Sequence, residues 1–233
     1  MEHHHDHHHE QHLESSQFIT DIVIGMSDGL TVPFALAAGL SGAVSSNGII
    51  ITAGAAEIVA GSIAMGLGGY LAGKTEQDHY NSELKREYDE VERVPEREIA
   101  EVKEIFAGYG LSETSQDMIA RELAKDKDKW VDFMMKFELG LEQPHLNRAR
   151  NSALTIGISY AVGGLIPLMG YFFTSDPQNG LVVSAIITVV CLFVFGFMKS
   201  KVTGQPVIWG ALKVTLIGVI AAASAFVIAK MIS

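Results

Sequence analysis

Five stretches of this chain are long and apolar enough to cross a lipid bilayer: Ile22–Val44, Ile49–Ala72, Ala153–Phe173, Leu181–Met198 and Val207–Ile228. A helix rising 1.5 Å per residue needs about 20 residues for that crossing. In hydrocarbon every backbone polar group has to be satisfied within its own segment, so spans of this kind are helices. The mean hydropathy of +0.24 understates the pattern, because the charges are gathered elsewhere. Of 27 Asp and Glu residues, 19 lie in Glu76–Glu142, together with 10 of the 17 Lys and Arg residues. The expected fold is therefore all-α: a polytopic membrane protein with five transmembrane helices and a cytosolic three-helix insertion after the second span.

The spans divide the chain. Residues 1–15 form a His-rich cytosolic tail, expected to be disordered. Residues 16–75 hold the first two spans, 76–146 the helical insertion including the stem of the second span, and 147–233 the last three spans. The tail lacks the basic start and apolar core of a cleavable signal peptide, so none is expected. Its run His3-His4-His5-Asp6-His7-His8-His9 is of metal-binding type. Cys191 is the only cysteine, which rules out an intramolecular disulfide and suits a packing residue in the fourth span. No basic face dominates, so a nucleic-acid partner is not expected.

Orientation follows from Lys and Arg, which favour the cytosolic side in short flanks. Ser45–Gly48 carries no charge and Thr174–Gly180 only Asp176, whereas the segment between spans two and three carries thirteen Lys or Arg from Lys74 to Arg150. Lys199 and Lys201 mark the turn between spans four and five. The N-terminus and the insertion are placed in the cytosol and the C-terminus on the other side.

Two carboxylates lie inside the apolar runs: Asp28 in the first and Glu57 in the second. A charge near the middle of a span costs about 2.5–3.5 kcal/mol on insertion scales and is tolerated where it faces a bundle interior or a wet cavity. The pair points to an ion path; a protonated pair between helices is the plain structural alternative. Pro33 cannot donate to Gly29 and its ring displaces that carbonyl, so span one is expected to kink or open there. Glu57, Gly61 and Met65 are spaced by four and share one helix face. Met65 alone reads first as a lipid-facing or core-packing residue.

The insertion reads as helix broken at Pro95, at Gly108 and Gly110, and at Pro144, with Ser112 an N-cap and a last helix over Lys129–Leu141. Glu87 and Glu90 are three apart, as are Glu98, Glu101 and Glu104; Met134 and Glu138 are four apart, with Glu142 beyond. Such spacings put carboxylates on one face, as in the two-metal carboxylate centres of helical bundles. A solvated acidic face is the default for any single pair. Recurrence on consecutive helices, with a thioether among the oxygens, points instead to a transition-metal site.

The segments Asp21-Ile-Val-Ile-Gly-Met-Ser-Asp28-Gly-Leu-Thr-Val-Pro-Phe34 and Gly54-Ala-Ala-Glu57-Ile-Val-Ala-Gly-Ser-Ile-Ala-Met65-Gly66 resemble the vacuolar iron transporter family, and the resemblance runs from about Glu14 to the C-terminus. It implies a homodimer of five-span subunits in the vacuolar membrane that exchanges cytosolic ferrous iron, and related divalent metals such as Zn2+, Co2+ and Mn2+, for lumenal protons. It implies a path lined by Asp28, Glu57 and Met65, and cytosolic metal ligands Glu87, Glu90, Glu98, Glu101, Met134 and Glu138; burial in a low-dielectric span separately makes Glu57 the expected proton carrier. The metal is substrate and ligand, no prosthetic group is implied, and no catalytic residue is expected. The competing readings are a membrane-anchored di-iron oxidase and a passive metal sensor. The insertion's two histidines, His79 and His145, each stand three residues after a Glu, Glu76 and Glu142, so this spacing does not exclude the oxidase. The sensor leaves Asp28 and Glu57 unexplained.

Overall fold

The computed structural model describes the backbone of residues 8–232 and the side chains of residues 17–232. The expectation of disorder over the His-rich tail lies outside the residues described with their side chains. Eight helices follow in order: α1 (His8–Ala43), α2 (Asn47–Arg93), α3 (Pro95–Gly108), α4 (Glu113–Leu123), α5 (Lys127–Phe137), α6 (Arg148–Phe172), α7 (Pro177–Val202) and α8 (Val207–Ile232). No strand occurs among the described residues. Five helices, α1, α2, α6, α7 and α8, are long and apolar enough to cross a membrane. The chain is thus an all-α polytopic membrane protein with three short helices inserted after its second span.

Two compact units can be separated: one comprises the chain up to Tyr70 and from Ala149 onward, the other Leu71–Arg148. In the first, small residues let backbones meet. A Cβ on Gly25 of α1 would stand 2.8 Å from Ser159 Cβ of α6, and one on Gly66 of α2 would stand 2.9 Å from the Ala153 carbonyl oxygen. This is the close approach that small residues permit between membrane helices. Ala37, Ile50, Ile58, Leu168 and Tyr171 bury a core shared by α1, α2 and α6, and Phe34, Ala38 and Ala222 join α1 to α8. The outer faces stay apolar: Val59, Ile63, Ile186, Val190 and Ile220 are all more than half exposed, as a bilayer-facing surface requires.

Of the kink or opening expected at Pro33, the opening is not found. Helix α1 continues through it without interruption, and the ring packs toward α6, 3.2 Å from where a Cβ on Gly164 would stand. A neighbouring helix of small residues accommodates the ring, which allows a proline to remain inside a span.

At one end of this unit the α1–α2 and α6–α7 connections are joined by polar contacts. Asn47 Nδ2 donates to the carbonyl oxygens of Thr174 (2.7 Å) and Tyr171 (3.2 Å). Gln178 Nε2 donates to the Ser41 carbonyl at 2.7 Å, and the hydroxyls of Ser41 and Tyr171 share a hydrogen bond of 2.8 Å. Asp176 caps α7 through the amides of Gln178 and Asn179.

In the second unit, the last turns of α2 pack with α3, α4 and α5 around Val91, Val102, Ala120, Trp130, Val131, Met134 and Met135. Pro95 opens α3 at a position where its missing N–H costs nothing. Gly110, at φ +80°, takes a left-handed turn that a side chain would strain, and Ser112 caps α4 by accepting from the Ser115 amide. Helix α5 begins two residues earlier than expected, because Asp126 caps it, and ends four earlier, before the left-handed Gly140 at φ +65°.

Candidate functional site

The insertion core determines which carboxylates meet. With Val91 and Val102 buried, the α2 face bearing Glu87 and Glu90 turns toward the α3 face bearing Glu98 and Glu101, and α5 ends beside them at Glu138. Carboxylate oxygens of Glu87, Glu90 and Glu98 lie within 4.8 Å of one another, and so do those of Glu98, Glu101 and Glu138. Glu98 belongs to both groups. Glu87 and Glu98 are each only 1% exposed, and the Oε2 atom of each is buried without a hydrogen-bond partner. A buried oxygen of this kind is costly unless something pairs with it. The donor set is hard oxygen at close range, which suits a divalent cation.

Burial, with the neighbouring charges of Glu138 and Glu90, pushes the Glu87 carboxyl up to about 7 against the opposing pull of Arg86. Burial, then Glu101, Glu87 and Glu90, does the same for Glu98, also to about 7. Glu138 is raised by burial and by Glu101 and Glu90. Two arginines moderate the crowding. Arg86 reaches Glu83 (2.8 Å), Glu90 (3.5 Å) and Glu87 (3.9 Å), and Arg97 Nε donates to Glu101 at 3.0 Å.

Met134 stands one turn before Glu138, fully buried in the apolar core with Trp130 and Met135. Glu104 and Glu142, which share the spacing pattern, belong to neither group of converging carboxylates. For Glu104 the cause is helical geometry: it lies six residues beyond Glu98, about 120° round the helix.

Among the membrane-crossing helices, Asp28 on α1 and Glu57 and Met65 on α2 are each half-buried, as is Gly61 between the latter two. Tyr160 of α6 donates its hydroxyl to Glu57 Oε1, while Glu57 Oε2 is buried with no partner. The same tyrosine ring fills the space over Gly61, where a Cβ would stand 2.5 Å from it. Gly29, next to Asp28, packs on the Tyr160 backbone, so one residue of α6 touches both carboxylate-bearing helices. Sequence reasoning missed Tyr160. Its signal was a phenol in the middle of an apolar run, where such a group normally has a buried partner.

The VIT family model matches residues 19–230, nearly the whole chain. The chain is 54% identical over 216 residues to the vacuolar iron transporter of Centaurea cyanus, covering 93% of this chain and 88% of that protein. It is 51% identical over 218 residues to vacuolar iron transporter 1 of Arabidopsis thaliana, covering 94% and 87%. The same identity over 218 residues holds for vacuolar iron transporter 1 of Eucalyptus grandis, covering 94% and 88%. The chain belongs to the VIT family.

Proposed function

We propose that this protein is a secondary transporter, not an enzyme, that carries ferrous iron and related divalent transition metals from the cytosol into the vacuole in exchange for protons. The observation that carries the reading is the pairing of two carboxylate systems in a chain 54% identical to a protein named a vacuolar iron transporter. One is the crowded cluster of the insertion, the other the isolated carboxylates of α1 and α2. In this reading the protein sits in the vacuolar membrane with its N-terminus and insertion (residues 76–146) cytosolic and its C-terminus lumenal, as the Lys and Arg distribution suggests. The insertion collects metal through Glu87, Glu90, Glu98, Glu101, Met134 and Glu138. Asp28, Glu57 and Met65 pass it across.

Glu57 serves as the coupling group. Its carboxylate holds a proton or faces a dication, not both, so metal arriving from the cytosol displaces the proton and a proton from an acidic lumen displaces the metal. Linkage makes the two effects reciprocal. The Tyr160 hydroxyl fixes Glu57 Oε1 and leaves Oε2 for exchange. Two subunits associate through α2. Ala56, Ala60, Ala64 and Gly68 recur every fourth residue on its exposed side, and a Cβ on Gly68 would meet nothing in this subunit. Small residues at that spacing favour close packing of membrane helices. The neighbouring stripe of Glu57, Gly61 and Met65 then borders the subunit boundary.

Proteoliposomes test the proposal. An imposed pH gradient, acid inside, should drive Fe(II) uptake accompanied by proton efflux. Uptake that ignores the gradient refutes exchange, and absence of any flux with retained metal binding points to a sensor.

A further inference from the structure

The acidic cluster carries a cation of its own. Arg86 sits on α2 between Glu83, three residues before it, and Glu87 and Glu90, one and four after. Its guanidinium lies nearest to Glu83, at 2.8 Å, and reaches Glu90 at 3.5 Å and Glu87 at 3.9 Å. Glu87 and Glu90 belong to the converging carboxylates, whereas Glu83 does not. We infer that Arg86 is a positioning residue that competes with an arriving dication for Glu87 and Glu90 and withdraws onto Glu83 when metal is held. It thereby sets how firmly the cluster retains its metal. The inference rests on the reading of this cluster as a metal site.

The argument is electrostatic. Five carboxylates, Glu87, Glu90, Glu98, Glu101 and Glu138, crowd together, and their repulsion has to be offset in the metal-free protein. Arg86 supplies part of that offset, which lowers the free energy of the metal-free state and with it the net affinity for metal. The buried, unpaired Oε2 atoms of Glu87 and Glu98 show that the arginine does not complete the cluster and leaves room for a further cation. Five donors in a planar fork let a guanidinium keep one carboxylate on one edge while it gives up another. Because Glu83 is already its nearest partner, withdrawal need not strand the charge. Arg97 differs: the carboxylate that it hydrogen-bonds, Glu101, is itself in the cluster.

Calorimetric Co(II) binding to the full chain in detergent, with stopped-flow release to a chelator, tests the proposal. Removing a unit charge about 4 Å from two ligands should tighten binding about tenfold in Arg86→Gln, ~1.4 kcal/mol, and slow release. Arg86→Lys keeps the charge and should stay near wild type. Glu83→Gln removes the alternative partner, leaves the arginine on Glu87 and Glu90, and should weaken binding. A residue that merely props up the fold would give the opposite sign in Arg86→Gln. Unchanged or weaker Co(II) binding in that variant, with Glu98→Gln still impaired, overturns the inference and leaves the metal site standing. Equal binding by wild type and Glu98→Gln overturns both. Should Arg86→Gln not fold, Glu83→Gln decides: weaker binding supports the competition, and unchanged binding ends it.

Discussion

Asp28 and Glu57 stand one to a helix, half-buried, and Glu57 has a tyrosine hydroxyl for company. Glu87, Glu90 and Glu98 converge within 4.8 Å, as do Glu98, Glu101 and Glu138, with Glu87 and Glu98 almost wholly buried and arginines at the rim. The side-chain chemistry is the same; the density of charge is not. Crowded carboxylates surround a dication with several oxygens and hold it. Solitary ones give it few partners and let it leave, and in hydrocarbon a crowd of charges would cost too much to insert. The contrast suits the insertion to retention and the spans to passage.

The largest effect is expected at Asp28. Asp28→Asn keeps the shape and removes the charge, and with no crowd to compensate, metal flux in proteoliposomes should nearly vanish while Co(II) binding by the insertion is unaffected. Substantial residual flux would break the contrast at its membrane end. Next comes Glu57→Gln, which should lose flux driven by a pH gradient while keeping a slow downhill leak of metal. Proton efflux persisting at the wild-type ratio to metal influx would remove Glu57 from the coupling.

The third prediction concerns pH. Glu87 and Glu98 hold protons up to about pH 7 in the folded protein, well above the ordinary value of 4.5. Between these limits the folded, metal-free insertion binds more protons than the unfolded chain, so the contribution of these groups to stability is present at low pH and is lost as pH rises through about 7. A dication displaces those protons, so Co(II) affinity should climb over the same window, on the order of tenfold per pH unit for each proton displaced. The double variant Glu87→Gln, Glu98→Gln should flatten that slope; an unchanged slope would assign the protons elsewhere.

Smaller effects sharpen the membrane side. Tyr160→Phe preserves the ring over Gly61 and removes the donor to Glu57, so flux should fall about fivefold, the worth of one net hydrogen bond. Wild-type flux would make the hydroxyl a bystander. Met65→Leu keeps volume and removes the sulfur. It should reorder Fe(II), Co(II), Zn(II) and Mn(II) in competition assays more than it changes the total rate, and an untouched order would make Met65 core filling.

The spans were legible because apolar runs such as Leu181–Met198 have no reading as loops, and the breaks at Pro95, Gly108 and Ser112 because those residues act locally. The grouping of Glu87, Glu90, Glu98, Glu101 and Glu138 was suggested by spacing within each helix, yet spacing could not say which helices meet. That depends on burying Val91 and Val102 together. For the same reason Tyr160 reads as part of an apolar wall, whereas Glu104 is set apart by its own helix, about 120° round from Glu98. A rule about isolated helices leaves out the neighbour that receives the Pro33 ring, here α6 at Gly164. The place of Arg86 relative to Glu83 and Glu90, three before and four after it, is readable from helix geometry alone.

The contacts of Ser41, Asn47, Tyr171, Thr174 and Gln178 have a mechanical consequence. They rivet two hairpin tips together, so the ends of α1, α2, α6 and α7 behave there as one joint. Separating them breaks these hydrogen bonds, most of them between part-buried groups, at a net cost of about 0.5–1.5 kcal/mol each. Along their middles the same helices meet mostly through apolar contact, with few polar ties such as Tyr160 to Glu57 and Ser184 to Pro167, and slide with less resistance. Any rocking of this bundle therefore takes the riveted tips as its fulcrum, and the widest swing falls at the opposite ends of those helices.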